Sequence, residues 1–160
     1  MVRVLFVCLG NICRSPMGEF IFKDIAARAN VPVFAASAGT SDEEEGNPVY
    51  PPARAELARH GISCAGKRAR RLERADYDNF DYILAMETSN VRGILRICGG
   101  DPQDKVFRLL DFSARPRDIA DPWYTGDFAS TYADIAEGCE AFLHWLAERG
   151  RAEQKGGGER

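Results

Sequence analysis

The sequence predicts an α/β fold of three layers, a central four-stranded parallel sheet flanked by helices. Three observations predict it. Apolar runs of strand length alternate with stretches of helical period, the order that builds parallel sheets through right-handed crossovers. The first run, residues 2–7, is apolar except for Arg3, as a strand covered on both faces must be. The chain has 160 residues and is 45% hydrophobic, enough for one domain with a real core.

Strand one, residues 2–7, leads into a loop over 8–15. Ser15 suits a helix N-cap and Pro16 the first helical position, so helix one is expected over 16–29. Met17, Phe20, Ile21 and Ile25 should face the core, with Gly18 allowing close approach to the sheet. Strand two is 31–38, around Val33 and Phe34. Residues 39–52 have no period and hold an acidic stretch over 41–48, read alone as a solvated turn. Helix two, 53–59, ends at His60-Gly61, where glycine suits the C-cap; His60 reads as a helix-end residue, not a catalyst. The basic run Lys67-Arg68-Ala69-Arg70-Arg71 reads as a solvated face, with a docking patch for acidic partners as the alternative.

Strand three is 80–86. Thr88 suits the cap of a helix carrying Val91, Ile94, Leu95 and Cys98 on one face, ended by Gly99-Gly100. Strand four is 105–110. Residues 111–127 form a long loop without period, and such loops inside compact domains tend to be functional. The last helix, 128–148, carries Phe128, Tyr132, Ile135, Cys139, Phe142 and Leu146 at core spacing. A single domain over 1–149 is expected, and the polar, glycine-rich 150–160 reads as a disordered tail.

Composition excludes several classes. A net charge of -3 argues against a general nucleic-acid binder. No apolar run is long enough to span a bilayer, so no membrane partner is expected. The first apolar run is too short, and holds one arginine only, for a signal peptide. Five scattered cysteines suit a reducing compartment, so the cytoplasm is expected, with signal-less export as the alternative. His60 and His144 lie far from any paired cysteines, and no metal or cofactor is expected.

The loop carries the chemistry. Five residues separate Cys8 from Arg14, giving C-x5-R-S between a strand and a helix start. A loop wrapped over a helix N-terminus turns its N–H groups inward and makes an anion nest, here a phosphate-binding loop after strand one. Gly10 lets the backbone curl. Arg14 can hold two phosphate oxygens with its planar fork. Cys8 at the loop entrance then points its sulfur at phosphorus, the same donors favour a thiolate, and Ser15 can donate to it. A nucleophile facing a bound phosphate predicts phosphoryl transfer through a phosphocysteine.

The stretch VLFVCLGNICRSPMGE resembles the signature of the low-molecular-weight protein tyrosine phosphatases, including Asn11, Ile12 and the second cysteine, Cys13. The family's general acid lies in an Asp-Pro-aromatic motif near the C-terminus, here Asp121-Pro122-Trp123-Tyr124. The resemblance implies a metal-independent, two-step hydrolysis. Cys8 is the nucleophile, Arg14 and the amides of Leu9, Gly10, Asn11, Ile12 and Cys13 bind phosphate, and Asp121 is the acid and then the base. It implies that Asn11 holds the loop's shape and that Trp123 and Tyr124 wall the cleft. Glu43 stands near the position of a family aromatic on the opposite wall. Isoleucine at position 12 resembles the tyrosine-directed branch, whereas a phosphoarginine branch has threonine there. A family histidine that orders the loop through Asn11 is absent, with Gly66 nearest its place. In the family the Cys8–Cys13 pair can close a reversible disulfide; packing alone is the other reading of Cys13.

The implied partners are phosphotyrosine-containing proteins and a cognate tyrosine kinase, with inorganic phosphate as product. Two other readings stand beside this. An arsenate reductase on the same scaffold needs two further cysteines close in sequence, and Cys64, Cys98 and Cys139 are far apart. A phosphotyrosine-binding module would keep the pocket without turnover.

Overall fold

Strand β1 (Val2–Cys8) runs through the middle of the sheet and is buried from Val4 onward. It pairs in parallel with β2 (Val33–Gly39) on one side and β3 (Tyr82–Ala85) on the other, and β3 pairs in parallel with β4 (Val106–Arg108). The strand order is β2-β1-β3-β4. This structure, a computed structural model, describes residues 1–158. Helices α1 (Arg14–Arg28), α2 (Pro51–Arg59), α3 (Asp76–Asn79), α4 (Thr88–Cys98), α5 (Pro122–Thr125) and α6 (Phe128–Gly158) follow in chain order.

Alternate residues of β1 feed two cores, as the period of a strand requires. Val4, Phe6 and Cys8 pack with Met17, Ile21 and Phe22 of α1, Leu57 of α2 and Ile135, Cys139 and Phe142 of α6. Leu5 and Val7 pack with Tyr77 of α3 and Ile94 and Cys98 of α4. The layers are those expected. Gly18 is where α1 meets the sheet: a Cβ there would lie 2.7 Å from Phe6 Cδ1 and 2.8 Å from Met86 Cε. Met17 and Ile21 are buried as expected, while Phe20 and Ile25 are only partly covered.

Several boundaries differ from the sequence reading, each for a local reason. Helix α1 starts at Arg14, not Pro16, with Cys13 at its N-cap. Ser15 is therefore inside the first turn. Helix α4 is capped by Glu87 rather than Thr88, through a capping box with Asn90. Its inner face carries Ile94 and Cys98, with Val91 and Ile97 rather than Leu95 against the core. Strand β4 stops at Arg108 because the Asp111 carboxylate accepts from the Arg108 N–H (2.8 Å) and Nε (3.0 Å), turning the chain into a 3₁₀ helix, Leu109–Phe112. Helix α3 is too short to show a period. The last helix passes Glu148 and reaches Gly158, with ion pairs Arg151–Glu148 (2.9 Å) and Arg149–Glu153 (3.7 Å) along it. Residues 150–158, read as a disordered tail, are thus helical, and 159–160 lie outside the described residues.

The basic run forms a strap along the outer edge of β2: Lys67 and Arg70 turn onto protein partners, while Arg68 and Arg71 stay exposed, as a solvated face requires. Gly39 bridges to Arg71 and Pro48 to Arg68. Lys67 Nζ donates to Ser37 O at 2.9 Å and sits 3.5 Å from Glu19 Oε1. Arg70 forks onto Asp76 with both distances 3.0 Å, and Arg68 donates to Gly46 O. Burial pulls the Lys67 ammonium below its ordinary value, opposed by Glu19.

Candidate active site

The loop between β1 and α1 curls because its carbonyls are tied outward. Thr40 N–H donates to Cys8 O, Ser41 N–H to Leu9 O and Tyr50 N–H to Ile12 O. A trans peptide points its N–H opposite its carbonyl, so the amides of Leu9, Gly10 and Cys13 face into the cup. No side chain fits at Gly39 beneath it, where a Cβ would lie 2.7 Å from Leu9 O.

Cys8 Sγ sits at the base of the cup. Asn11 N–H and Ser15 N–H point at it from 3.3 and 3.4 Å, and the Ser15 hydroxyl lies 2.9 Å away. Asn11 Nδ2 donates to Ser15 Oγ at 2.8 Å, which leaves the hydroxyl hydrogen to choose between Cys8 Sγ and Ala38 O at 3.4 Å. Either atom of the sulfur–hydroxyl contact can donate; when Cys8 is a thiolate the hydroxyl gives its hydrogen to sulfur, which then accepts from three donors. Ser15, one residue inside the helix start, thus turns its hydroxyl back to Cys8. Asn11 is in the left-handed region, φ 58°, and its Oδ1 accepts from Arg70 N–H at 3.0 Å. The strap therefore supplies support from its backbone. Beside Gly66, the position without a histidine, Lys67 reaches Ser37 and Glu19.

Arg14 is 3% exposed and held by two partners the sequence reading missed. Its Nη1 donates to Glu87 Oε2 at 2.6 Å and to Ile119 O at 2.8 Å. Nη2 faces Asp121 Oδ2 at 3.4 Å. Burial alone would raise the Glu87 carboxyl, but bonds from the Ser89 hydroxyl and Arg14 outweigh it and hold it below the usual glutamate range. Ile119 is buried and its N–H donates to Met86 O at 2.9 Å, tying the long loop to the end of β3. Asp118 adds bonds to Thr88 N–H (2.9 Å) and Arg108 (3.1 Å). Signals for both lay in the sequence. Glu87 closely follows the C-terminal end of a parallel strand, where such folds bind ligands, and Ile119 is an apolar residue in a polar loop.

Asp121 lies two residues beyond that anchor and caps α5, accepting from Trp123 N–H at 3.0 Å. The cleft of about 200 Å³ is lined by Cys8, Leu9, Gly10, Ile12, Cys13 and Arg14 at its floor, with Asp121, Trp123 and Tyr124 on one wall and Ser41, Glu43 and Glu44 on the other. Every residue expected at the site is thus brought together, with Asn11 and Ser15 buried just below. Glu44, read as part of a solvated turn, joins Glu43. Tyr50 was also missed, and its ring packs on Trp123 with centroids 5.0 Å apart.

The cysteines divide by environment. Burial first, then the nearby Cys8 and Asp121, pushes the Cys13 thiol up to about 12. Cys64 and Cys139 belong to one core and Cys98 to the other, and none lines the cleft. The relay of thiols an arsenate reductase needs is not assembled.

Comparison with known proteins agrees with this geometry. The family model described as "Low molecular weight phosphotyrosine protein phosphatase" matches residues 3–152. The low molecular weight protein-tyrosine-phosphatase YfkJ of Bacillus subtilis is 42% identical over 147 residues, 89% of this chain and 94% of its own. PtpA of Staphylococcus saprophyticus is 36% identical over 91% of this chain and 94% of its own. The crystal structure of YfkJ superposes with a TM-score of 0.89 at 40% identity, covering 93% of this chain and 96% of that one. A protein tyrosine phosphatase of Entamoeba histolytica, solved with Hepes in its active site, superposes at 0.86 with 30% identity over 92% and 98% of the two chains. With a family match over nearly its whole length and a curated relative this similar, the chain belongs to the low molecular weight phosphotyrosine protein phosphatase family.

Proposed function

We propose that this protein hydrolyses phosphotyrosine in proteins through a phosphocysteine on Cys8. The observation that carries this is the convergence of three donors on Cys8 Sγ beneath a cleft that also holds the Arg14–Asp121 pair. The Cys8 thiolate attacks phosphorus. An S–P bond forms, and the P–O bond to the phenol breaks. Arg14 and the inward amides of Leu9, Gly10 and Cys13 hold the equatorial oxygens as charge builds on them. Asp121, on the wall above Cys8, hands a proton to the leaving oxygen. Water then attacks phosphorus, its proton goes to the Asp121 carboxylate, the S–P bond breaks, and inorganic phosphate leaves.

Glu87 and Ile119 O leave the outer face of the Arg14 guanidinium for the substrate. Trp123 and Tyr124 offer flat apolar surface to the tyrosine ring. Glu43 and Glu44 across the cleft disfavour acidic residues next to it by like-charge repulsion. We assign the substrates to phosphotyrosine proteins made by a cognate kinase, and the place of work to the cytoplasm, where the five free cysteines stay reduced.

The test is turnover of an aryl phosphate and a phosphotyrosine peptide in the presence of a chelator. Hydrolysis is expected with the wild type. Cys8→Ser should abolish it while inorganic phosphate still binds. Binding of the peptide without turnover by the wild type would make the protein a recognition module instead.

A further inference from the structure

Tyr50 lines no part of the cleft, yet it touches both loops that form it. Its N–H donates to Ile12 O in the phosphate loop at 2.9 Å. Its ring packs against Trp123, two residues past Asp121, at 5.0 Å and 47°, and against Phe128 at the start of α6 at 6.0 Å. The backbone that carries it is stiff. Val49 before it is buried, and Pro51 after it holds Tyr50 extended (φ −55°, ψ 132°) as the residue that opens α2.

The acid loop has less to rest on. Helix α5 is four residues long and ends at Gly126, φ 73°, while Trp123 is 55% exposed and Tyr124 82%. The Asp121 carboxylate takes its bearing from Trp123 N–H at 3.0 Å and from Arg14 at 3.4 Å. Whatever locates Trp123 therefore locates the carboxylate.

We propose that Tyr50 is a positioning residue for proton transfer. It is a fixed post that, through Trp123, keeps the Asp121 carboxyl level with the leaving oxygen above Cys8. This rests on the reading of Asp121 as the acid. Because the same residue is bonded to Ile12 O, the post also ties the height of the acid loop to the curl of the phosphate loop. Small displacements of a proton donor cost most where the leaving group most needs the proton.

The experiment is kcat/KM, which reads only the steps through P–O cleavage, over a series of aryl phosphates of rising leaving-group basicity. It compares wild type, Tyr50→Phe, Tyr50→Leu, Tyr50→Ala, Asp121→Asn and the Tyr50→Ala/Asp121→Asn double variant. Tyr50→Ala is expected to lower kcat/KM about tenfold to a hundredfold for the most basic leaving groups and little for the most acidic. Tyr50→Phe, which keeps the ring, should match wild type. Tyr50→Leu keeps bulk but not the flat face; it should show the same trend, and it carries the test if Tyr50→Ala does not fold. In the Asp121→Asn background Tyr50→Ala should add almost nothing, since both act on one proton. A loss equal across the series, or undiminished in that background, overturns the post. If Asp121→Asn alone leaves the leaving-group dependence unchanged, the acid assignment fails and the post with it. If Asp121→Asn steepens that dependence and neither Tyr50→Ala nor Tyr50→Leu does, the post alone fails.

Discussion

Asn11 holds a left-handed backbone and hands its side-chain amide hydrogen to the Ser15 hydroxyl at 2.8 Å. One residue thereby does three things. Its N–H points at Cys8 Sγ, its Nδ2 orients Ser15 toward the same sulfur, and its Oδ1 ties the loop to the strap at Arg70. Glycine tolerates that backbone without strain but offers no side chain. Asn11→Gly should therefore keep the fold yet lose roughly a hundredfold in kcat. Asn11→Ala should lose as much and be less stable by a further ~1 kcal/mol, the cost of a Cβ in the left-handed region. Steady-state kinetics and thermal unfolding check both. Full activity in Asn11→Gly would mean that only the backbone matters.

Glu87 couples Arg14 to acid stability. Its carboxyl is held low in the folded protein, so the unfolded chain takes up the proton first as pH falls. The stability it contributes is complete above the ordinary glutamate range and is lost as pH drops through its lower folded value. Urea midpoints across the acid range should therefore fall less steeply for Glu87→Gln than for wild type. At neutral pH that variant should be weaker by about 2 kcal/mol, because Arg14 keeps its burial and loses an ionic partner. Parallel acid limbs would count against this link.

Cys13, pushed up to about 12, is a neutral thiol at any working pH. Iodoacetamide at neutral pH should then label Cys8 and spare Cys13, which peptide mass spectrometry reads directly. Peroxide should convert Cys8 to a sulfenic acid that condenses with the Cys13 thiol, forming a disulfide and releasing water. Activity should return with a thiol reductant, and Cys13→Ser should make inactivation irreversible. Finding only sulfonic acid at Cys8 in the wild type would remove the protective role.

Gly18→Ala places a Cβ within 2.8 Å of both Phe6 Cδ1 and Met86 Cε. The helix and sheet must separate or Phe6 must leave its rotamer, at about 1–3 kcal/mol. The melting temperature should fall, and kcat with it if α1 shifts Arg14. An unchanged melting temperature would show that Met86 yields freely.

The amino-acid sequence by itself determined the central local elements. The apolar run before Cys8 made a central strand, the spacing from Cys8 to Arg14 made the cup, and Asp121-Pro122 marked the acid loop. These were legible because period, residue type and backbone preference act within a few residues of each other. Tertiary structure alone decided who holds what. Arg14 meets Glu87 across 73 positions and Ile119 across 105, and Asn11 meets the Arg70 backbone across 59. The same is true of Tyr50 under Trp123, of Glu44 on the cleft wall, and of Lys67, whose charge turned inward to Ser37 and Glu19. No pattern along the chain encodes such pairs. A buried cation, donor or ring takes whichever partner the packing of distant segments brings within hydrogen-bond or van der Waals reach, and that choice exists only once the layers have closed.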